Sequence, residues 1–296
     1  MLLSHRLYNL LPDRVRWQLA PRVRYETFGL SVILPRPQGN GLQPRALAAW
    51  KRHALATLLP LTDGSFIDVG ANLGQTLIEF RSTGIRRSYI GCEPNAQCVA
   101  YLESLIAANH YEDCSIVPIG LGAGAQLCAL YLNSGPGDNT DAAATLLADL
   151  RPKRRTIASW VSVHSFDAIR SALSIARVGL VKIDVEGAES DTVAGMVNTL
   201  AADRPLVLCE VLGADPAADL DSWTRRATKL ATSLESVRYL IFRLVKSGDL
   251  RRVVALTAMA DFPVEVWTPE RAECFDYLFV PEERADEVLS AIDSGQ

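Results

Sequence analysis

Residues 66–76 read FIDVGANLGQT. An apolar run ends in Asp68, the chain crosses Gly70 and Gly74, and residues suited to a helix follow. Strand, tight turn and helix in that order are the unit of a doubly wound sheet. A Rossmann fold holds pyrophosphate with G-x-G-x-x-G at a helix N-terminus, where backbone N–H groups favour an anion. Here the spacing is G-x-x-x-G, and an acid stands two positions ahead of the first glycine. A carboxylate at the strand tip repels pyrophosphate and welcomes a cation.

Outward from this stretch the same rhythm repeats. SFIDVG, SYIGCEP, CSIVPIG, GLVKID and RPLVLCEV read as buried strands with helical patterns between them. Such alternation predicts a mostly parallel sheet covered by helices on both faces. Between the third and fourth of these runs, QLCALYLN and IASWVSVHSFD alternate apolar and polar residues, as partly exposed antiparallel strands do. The long turn-rich segment SGPGDNTDAAATLLADLRPKRR joins them and reads as a binding loop. The chain then predicts a helix over WTRRATKLATSLES, a strand RYLIFRLV, an acidic stretch, a strand FDYLFVP and a final helix. Residues 1–60 read as an N-terminal helical appendage with a Pro- and Gly-containing middle, and residues 61–296 as the main domain.

Composition narrows the classes. With 296 residues, 49 % of them hydrophobic, the chain can bury a full doubly wound core. A net charge of −4 argues against wrapping nucleic acid, and none is expected as a partner. The charge is uneven: residues 1–60 carry nine Lys/Arg against two Asp/Glu, and residues 261–296 carry two against ten. The basic segment is either a solvated face or a contact for anionic lipid headgroups or an acidic substrate. Six cysteines without a C-x-x-C pair read as reduced thiols, not as a zinc site or disulfide framework. The opening segment is broken by His5, Arg6, Pro12, Asp13 and Arg14, which excludes a signal-peptide core or a membrane span within it. The expected compartment is the cytoplasm, with peripheral contact to the inner face of the membrane left open. A homo-oligomer is left open as well.

In a doubly wound sheet, ligands bind outside the carboxyl ends of the strands. Those ends present Asp68, Glu93, Asp184 with Glu186, and Glu210. Glu93, at the second strand tip, is placed to accept the two hydroxyls of a ribose. A ribose, no phosphate and a cationic end near Asp68 describe S-adenosylmethionine, with Gly70, Asn72 and Gly74 forming the turn whose backbone N–H groups meet its carboxylate.

FIDVGANLGQT, GCEPNAQC, VSVHSFDAI, LVKIDVEGAESDTVAGM and LVLCEV, in that order over roughly residues 60–215, resemble the FkbM-type methyltransferases. The resemblance implies the class I methyltransferase fold: a seven-stranded, mostly parallel α/β sheet whose last strand, here FDYLFVP, is antiparallel. It implies S-adenosylmethionine as cofactor, with Asp68, Gly70, Asn72, Gly74, Glu93 and Pro94 around it. It also implies O-methylation of a hydroxyl on a saccharide, glycolipid or secondary metabolite. Ser165 and Phe166 stand where the family shows Thr-Leu.

An alcohol needs a base or a metal to take its proton during methyl transfer. Asp184 and Glu186 are two apart and share a face in extended geometry. Either acts as base, or the pair holds a divalent cation with Glu210, for which oxygen ligands suit magnesium. His164, on the polar side of its strand, is a further candidate base. Each candidate has a plainer reading: Asn72 as a helix cap, Gly70 and Gly74 as packing glycines, Lys182 as a snorkelling lysine, Glu189 as a helix start. Trp160, Asp138 and Asp141 are candidates for lining a sugar site, and Arg151, Lys153, Arg154 and Arg155 form a basic run. The competing functions are a non-catalytic scaffold that keeps the cofactor pocket and a methyltransferase for another acceptor class. An oxidoreductase is disfavoured by the missing fingerprint, and no D/N-P-P-Y/F/W element for amine methylation is found.

Overall fold

The computed structural model describes residues 2–4, 22–35, 42–43, 46–132, 143–148, 150, 156–214, 220–263 and 265–294. Three strands come first: β1 (Leu2–Ser4), β2 (Arg22–Thr27) and β3 (Leu30–Pro35), the last two a hairpin. Helix α1 (Ala49–Leu58) leads into β4 (Ser65–Val69), α2 (Gln75–Arg81), β5 (Tyr89–Cys92), α3 (Ala96–Asn109) and β6 (Cys114–Val117). Then follow β7 (Gly120–Leu121), β8 (Gln126–Leu132), β9 (Thr156–His164), α4 (Phe166–Ile169) and β10 (Val178–Ile183). The chain continues through α5 (Glu189–Ala194), α6 (Val197–Asp203), β11 (Leu206–Glu210) and α7 (Leu220–Ser236). It closes with β12 (Tyr239–Lys246), β13 (Val253–Met259), β14 (Asp276–Pro281) and α8 (Ala285–Ser294).

The main sheet runs β13-β12-β14-β11-β10-β4-β5-β6. The five strands from β6 to β11 are parallel to their neighbours, and β14 enters antiparallel between β11 and β12. Seven strands thus stand in the expected arrangement. The eighth, β13, pairs antiparallel with β12 at the edge, where the sequence reading had placed no strand. Its alternation is weak, with intermediate burial at most positions, which hides the period-two signal.

Alternate residues of each central strand feed two different cores. Phe66, Leu180, Leu206 and Leu278 pack with Leu55, Leu77, Leu105 and Val288, so α1, α2, α3 and α8 cover one face. Ile67, Val181, Val207 and Phe279 pack with Phe166, Val193, Leu200 and Leu230, so α4 to α7 cover the other. Helix α7 does so with a stripe of Trp223, Ala227, Leu230 and Leu234.

The N-terminal region is not the helical appendage expected. Its second helix forms as read, over Ala49–Leu58, but residues 22–35 form the β2–β3 hairpin, and the first expected helix lies outside the described residues. The reason is legible afterwards: β-branched and aromatic residues in RVRYET and LSVILP flank the two-residue turn Phe28-Gly29, both at positive φ. Val32 and Leu34 share the core of the main sheet, and Asn109 clasps β3 by accepting from Ile33 N–H at 2.7 Å and donating to its carbonyl at 2.8 Å. Strands β8 and β9 pair antiparallel as expected and join β7 in a separate three-stranded sheet. All six cysteines are free. Among the described residues no helix is long and apolar enough to cross a membrane.

Candidate active site

At the carboxyl ends of β4, β5, β10 and β11 lies a cavity of about 310 Å³, within the range of small-molecule sites. Its wall divides into two ends. One is the turn after β4 with the tip of β5; the other is the tip of β10 with that of β11.

The first end is held by backbone geometry. Gly70 lies at φ 77°, and a Cβ there would stand 1.9 Å from the Asp184 carbonyl oxygen, so only glycine lets the turn pass under β10. Gly74 lies at φ 87° and faces α3, where a Cβ would stand 2.7 Å from Leu105 Cδ2. Gly70 and Ala71 N–H both donate to the Cys92 carbonyl, at 2.9 and 3.2 Å. Asn72 N–H donates to Glu93 Oε2 at 2.8 Å, Leu73 N–H to Asn72 Oδ1 at 2.8 Å, and Gly74 N–H to the Ala71 carbonyl at 2.9 Å. All five donors of the turn are therefore used inside the protein, and the expected cradle of N–H groups for a cofactor carboxylate is not formed by them.

Glu93 is buried, yet it lines the cavity. Its two oxygens accept one backbone N–H each, from Asn72 and from Asn95, both at 2.8 Å. Burial pushes its carboxyl up to about 7, against the pull of those two hydrogen bonds. Each oxygen keeps a further acceptor position. Two hydroxyl donors from a ribose would satisfy a carboxylate that burial otherwise penalises, and this is the fit of S-adenosylmethionine to the site. Pro94, Asn72 and Gly70 share the same wall.

Three expected site residues are elsewhere. Asp68 is fully buried beneath the turn and does not line the cavity. It stands opposite Lys182 in the β4–β10 register, and its carboxylate takes the Tyr89 hydroxyl at 2.5 Å and the Lys182 ammonium at 3.2 Å. Its carboxylate meets these partners inside the fold and not the cavity wall. Gly74 is turned to α3, and its role is packing. His164 ends β9 in the smaller sheet and is not on the wall, because β9 pairs with β7 and β8 and not with the main sheet. Asn72 does not cap α2 either: Gly74 occupies the N-cap position, and Asn72, at φ 45°, bonds its own neighbour.

The second end is built from side chains. Asp184, Glu186 and Glu210 all line the cavity. Parallel pairing of Ile183 with Cys209 sets Asp184 beside Glu210 at the two strand tips. Lys182 is no snorkelling lysine: it is 5 % exposed, ion-paired to Asp68 at 3.2 Å and Asp184 at 3.4 Å, and donates to the Gly70 carbonyl at 3.0 Å. Burial pushes the Asp184 carboxyl up, but Lys182 and Lys51 outweigh it and hold it below the usual range. The Asp184 charge, with burial, pushes Glu210 well above its usual range. The two carboxyls are thus pushed in opposite directions, Asp184 towards its ionised form and Glu210 towards its protonated one. Among the described residues no group of three His, Cys, Asp or Glu side chains is disposed to hold a metal ion. Glu189 starts α5 and accepts Gly187 N–H at 2.8 Å, as a helix-start residue does.

The sequence reading missed Lys51. It projects from α1 onto the same wall. Glu79 of α2 fixes that helix by accepting Ala48 N–H at 2.6 Å, at its N-cap. Nothing in a lone helical lysine announces such a placement. The loop after β8 also reaches the wall, through Ala144 and Leu146. Trp160 is 66 % exposed on β9, off the wall, while Asp138, Asp141 and the run 151–155 lie outside the described residues.

The sequence profile of the methyltransferase FkbM domain matches residues 68–230. No curated protein matches the chain. Among solved structures, the methyltransferase FkbM from Methylobacillus flagellatus KT is similar at 15 % identity and TM-score 0.44, over 76 % of this chain and 47 % of that one. The chain thus spans about half the length of that protein. A putative O-methyltransferase from Klebsiella pneumoniae is similar at 10 % identity and TM-score 0.40, over 82 % of each chain. The fibrillarin of Aeropyrum pernix, solved with S-adenosyl-L-methionine natively bound, is similar at 13 % identity and TM-score 0.39, over 85 % of this chain and 90 % of that one. Likenesses this remote carry no argument about chemistry; the domain match is independent of them.

Proposed function

The chain belongs to the FkbM methyltransferase family, S-adenosylmethionine-dependent enzymes, and from that premise we propose that it O-methylates a hydroxyl of a saccharide, glycolipid or secondary metabolite. The observation that carries this reading is the placement of Asp184 and Glu210 side by side at adjacent strand tips, on the wall of a cavity whose other end presents Glu93.

Bound, the cofactor supplies an electrophilic methyl group on a sulfonium. Glu93 accepts the ribose hydroxyls, and the turn through Gly70 and Asn72 shapes the wall around them. Asp184 accepts a hydrogen bond from the acceptor hydroxyl and takes its proton as the oxygen gains the methyl group. A carboxylate of lowered basicity suffices for that, because the alkylated oxygen is strongly acidic before the proton leaves. Lys182 keeps Asp184 ionised and ties it to the turn through the Gly70 carbonyl. Glu210 keeps its proton and hydrogen-bonds Asp184, which orients the carboxylate. A divalent cation is not required by this scheme.

Calorimetric titration with S-adenosylhomocysteine, with NAD as control, tests the premise for the cofactor. Saturable binding of the first alone is expected, followed by transfer of a labelled methyl group to hydroxylated acceptors and not to amines. Transfer to amines in preference to alcohols would overturn the O-methylation reading.

A further inference from the structure

Lys51 stands outside the matched residues 68–230, yet it lines the cavity with Asp184, Glu186 and Glu210. Among the described residues no carboxylate lies within ion-pair distance of its nitrogen, and no hydrogen-bond acceptor meets it. The nitrogen lies 5.6 Å from the centroid of the Trp50 ring, while the nitrogen of Lys246 sits over the same ring at 4.1 Å. Burial favours the uncharged amine, but the nearby acids, Glu79 and Asp184 foremost, outweigh it and keep Lys51 an ammonium. The wall thus sets a charged donor without a partner beside carboxylates that accept.

We infer that Lys51 binds the acceptor: its ammonium donates to the oxygen next to the hydroxyl that faces Asp184, so the acceptor presents vicinal hydroxyls, as a sugar ring does. This rests on the methyl-transfer reading above. The chemistry of the wall selects among acceptors. A cationic acceptor meets Lys51, and an anionic one meets Asp184 and Glu186. A lone hydroxyl that faces Asp184, which already has Lys182 beside it, leaves the Lys51 ammonium without a hydrogen-bond acceptor, which is costly. Two adjacent hydroxyls serve both, since each hydroxyl donates and accepts. Leu130 and Leu146 supply an apolar surface on the same cavity for the C–H face of a ring.

The test uses the full chain, wild type and the variants Lys51→Gln and Lys51→Arg, by calorimetry in two stages. S-adenosylhomocysteine is titrated first and is expected to bind all three within about twofold, since Lys51 is not at the Glu93 end. A wild type that does not bind it overturns the transfer reading itself and not the Lys51 assignment alone. The loaded proteins are then titrated with methyl α-D-mannopyranoside as the vicinal-hydroxyl probe and cyclohexanol as the single-hydroxyl control. The mannoside should bind the wild type saturably, lose about tenfold or more in Lys51→Gln, and recover most of its affinity in Lys51→Arg. Equal mannoside affinity in wild type and Lys51→Gln overturns the role of Lys51. A loaded wild type that binds cyclohexanol as tightly as the mannoside, or neither, overturns the acceptor class while leaving methyl transfer standing.

Discussion

The two ends of the cavity are built by opposite means. At the Glu93 end a single turn, residues 70–74, satisfies its own N–H groups against Cys92, Glu93 and itself, and one carboxylate faces the space left over. At the Asp184 end, charges from α1, β10 and β11 converge, and none of them is adjacent in sequence to all the others. The first end depends on backbone shape and tolerates little change of side-chain volume. The second depends on electrostatic balance and tolerates little change of charge. Lys182 touches both, through Gly70 and Asp184.

That contrast predicts how substitutions sort. Asp184→Asn should have the largest effect: methyl transfer falls by about 10²- to 10⁴-fold while S-adenosylhomocysteine affinity stays within about twofold. Transfer at wild-type rate in that variant would remove Asp184 from the chemistry and erase the division between the ends. Gly70→Ala should instead damage the scaffold at their junction. Its Cβ meets the Asp184 carbonyl oxygen at 1.9 Å in a left-handed conformation, and a stability loss on the order of 3 kcal/mol or more is expected in denaturant melts. Glu93→Ala should weaken S-adenosylhomocysteine binding by more than about tenfold, each charged hydrogen bond being worth about 1.5–3 kcal/mol. Unchanged affinity would show that the ribose is not held there.

A smaller effect concerns pH. Glu79 is fully buried below the Asp184 end, and burial raises its carboxyl from 4.5 to about 7, against Lys51 and the Ala48 N–H. The folded state therefore holds this proton where the unfolded chain has released it. Stability from this group is present below the unfolded value and is lost as pH rises towards about 7. Thermal melts between pH 5 and 8 should show that fall, and Glu79→Gln should flatten it by on the order of 1–3 kcal/mol. An unaltered slope in the variant would assign the dependence to Glu93 or Glu189, which burial raises to about 7 as well. His164→Ala should do least, leaving transfer within about twofold, because its ring is not on the wall. A hundredfold loss would place His164 at the Asp184 end after all.

Reading order along the chain explains which parts were legible. The strands β4, β5, β6, β10 and β11 are continuous apolar runs because helices bury both their faces, and such runs stand out. Gly70 and Glu93 were visible because a turn and a strand tip are local features. Asp68 was misjudged because an acid at a strand tip looks the same whether it faces a ligand or a lysine; only the β4–β10 register sets Lys182 beside it. His164 was misjudged because alternation reports a face of a strand and not the sheet that strand joins. The β2–β3 hairpin was hidden by neighbouring segments with apolar spacings that also suit helices.

The amino-acid sequence by itself determined the doubly wound sheet and the strand-tip positions of Glu93, Asp184, Glu186 and Glu210, while the antiparallel entry of β14 was implied by the family resemblance. Hydrophobic period and turn residues act over a few positions, so they can be read without knowing what lies across the fold. The partners of those acids were decided only by tertiary structure. Whether Asp184 stays ionised, whether Glu210 keeps a proton and whether Lys51 reaches the cavity depend on distances between segments far apart in the chain. Coulomb interactions in a buried site respond to those distances and to desolvation, and neither quantity is written in local sequence.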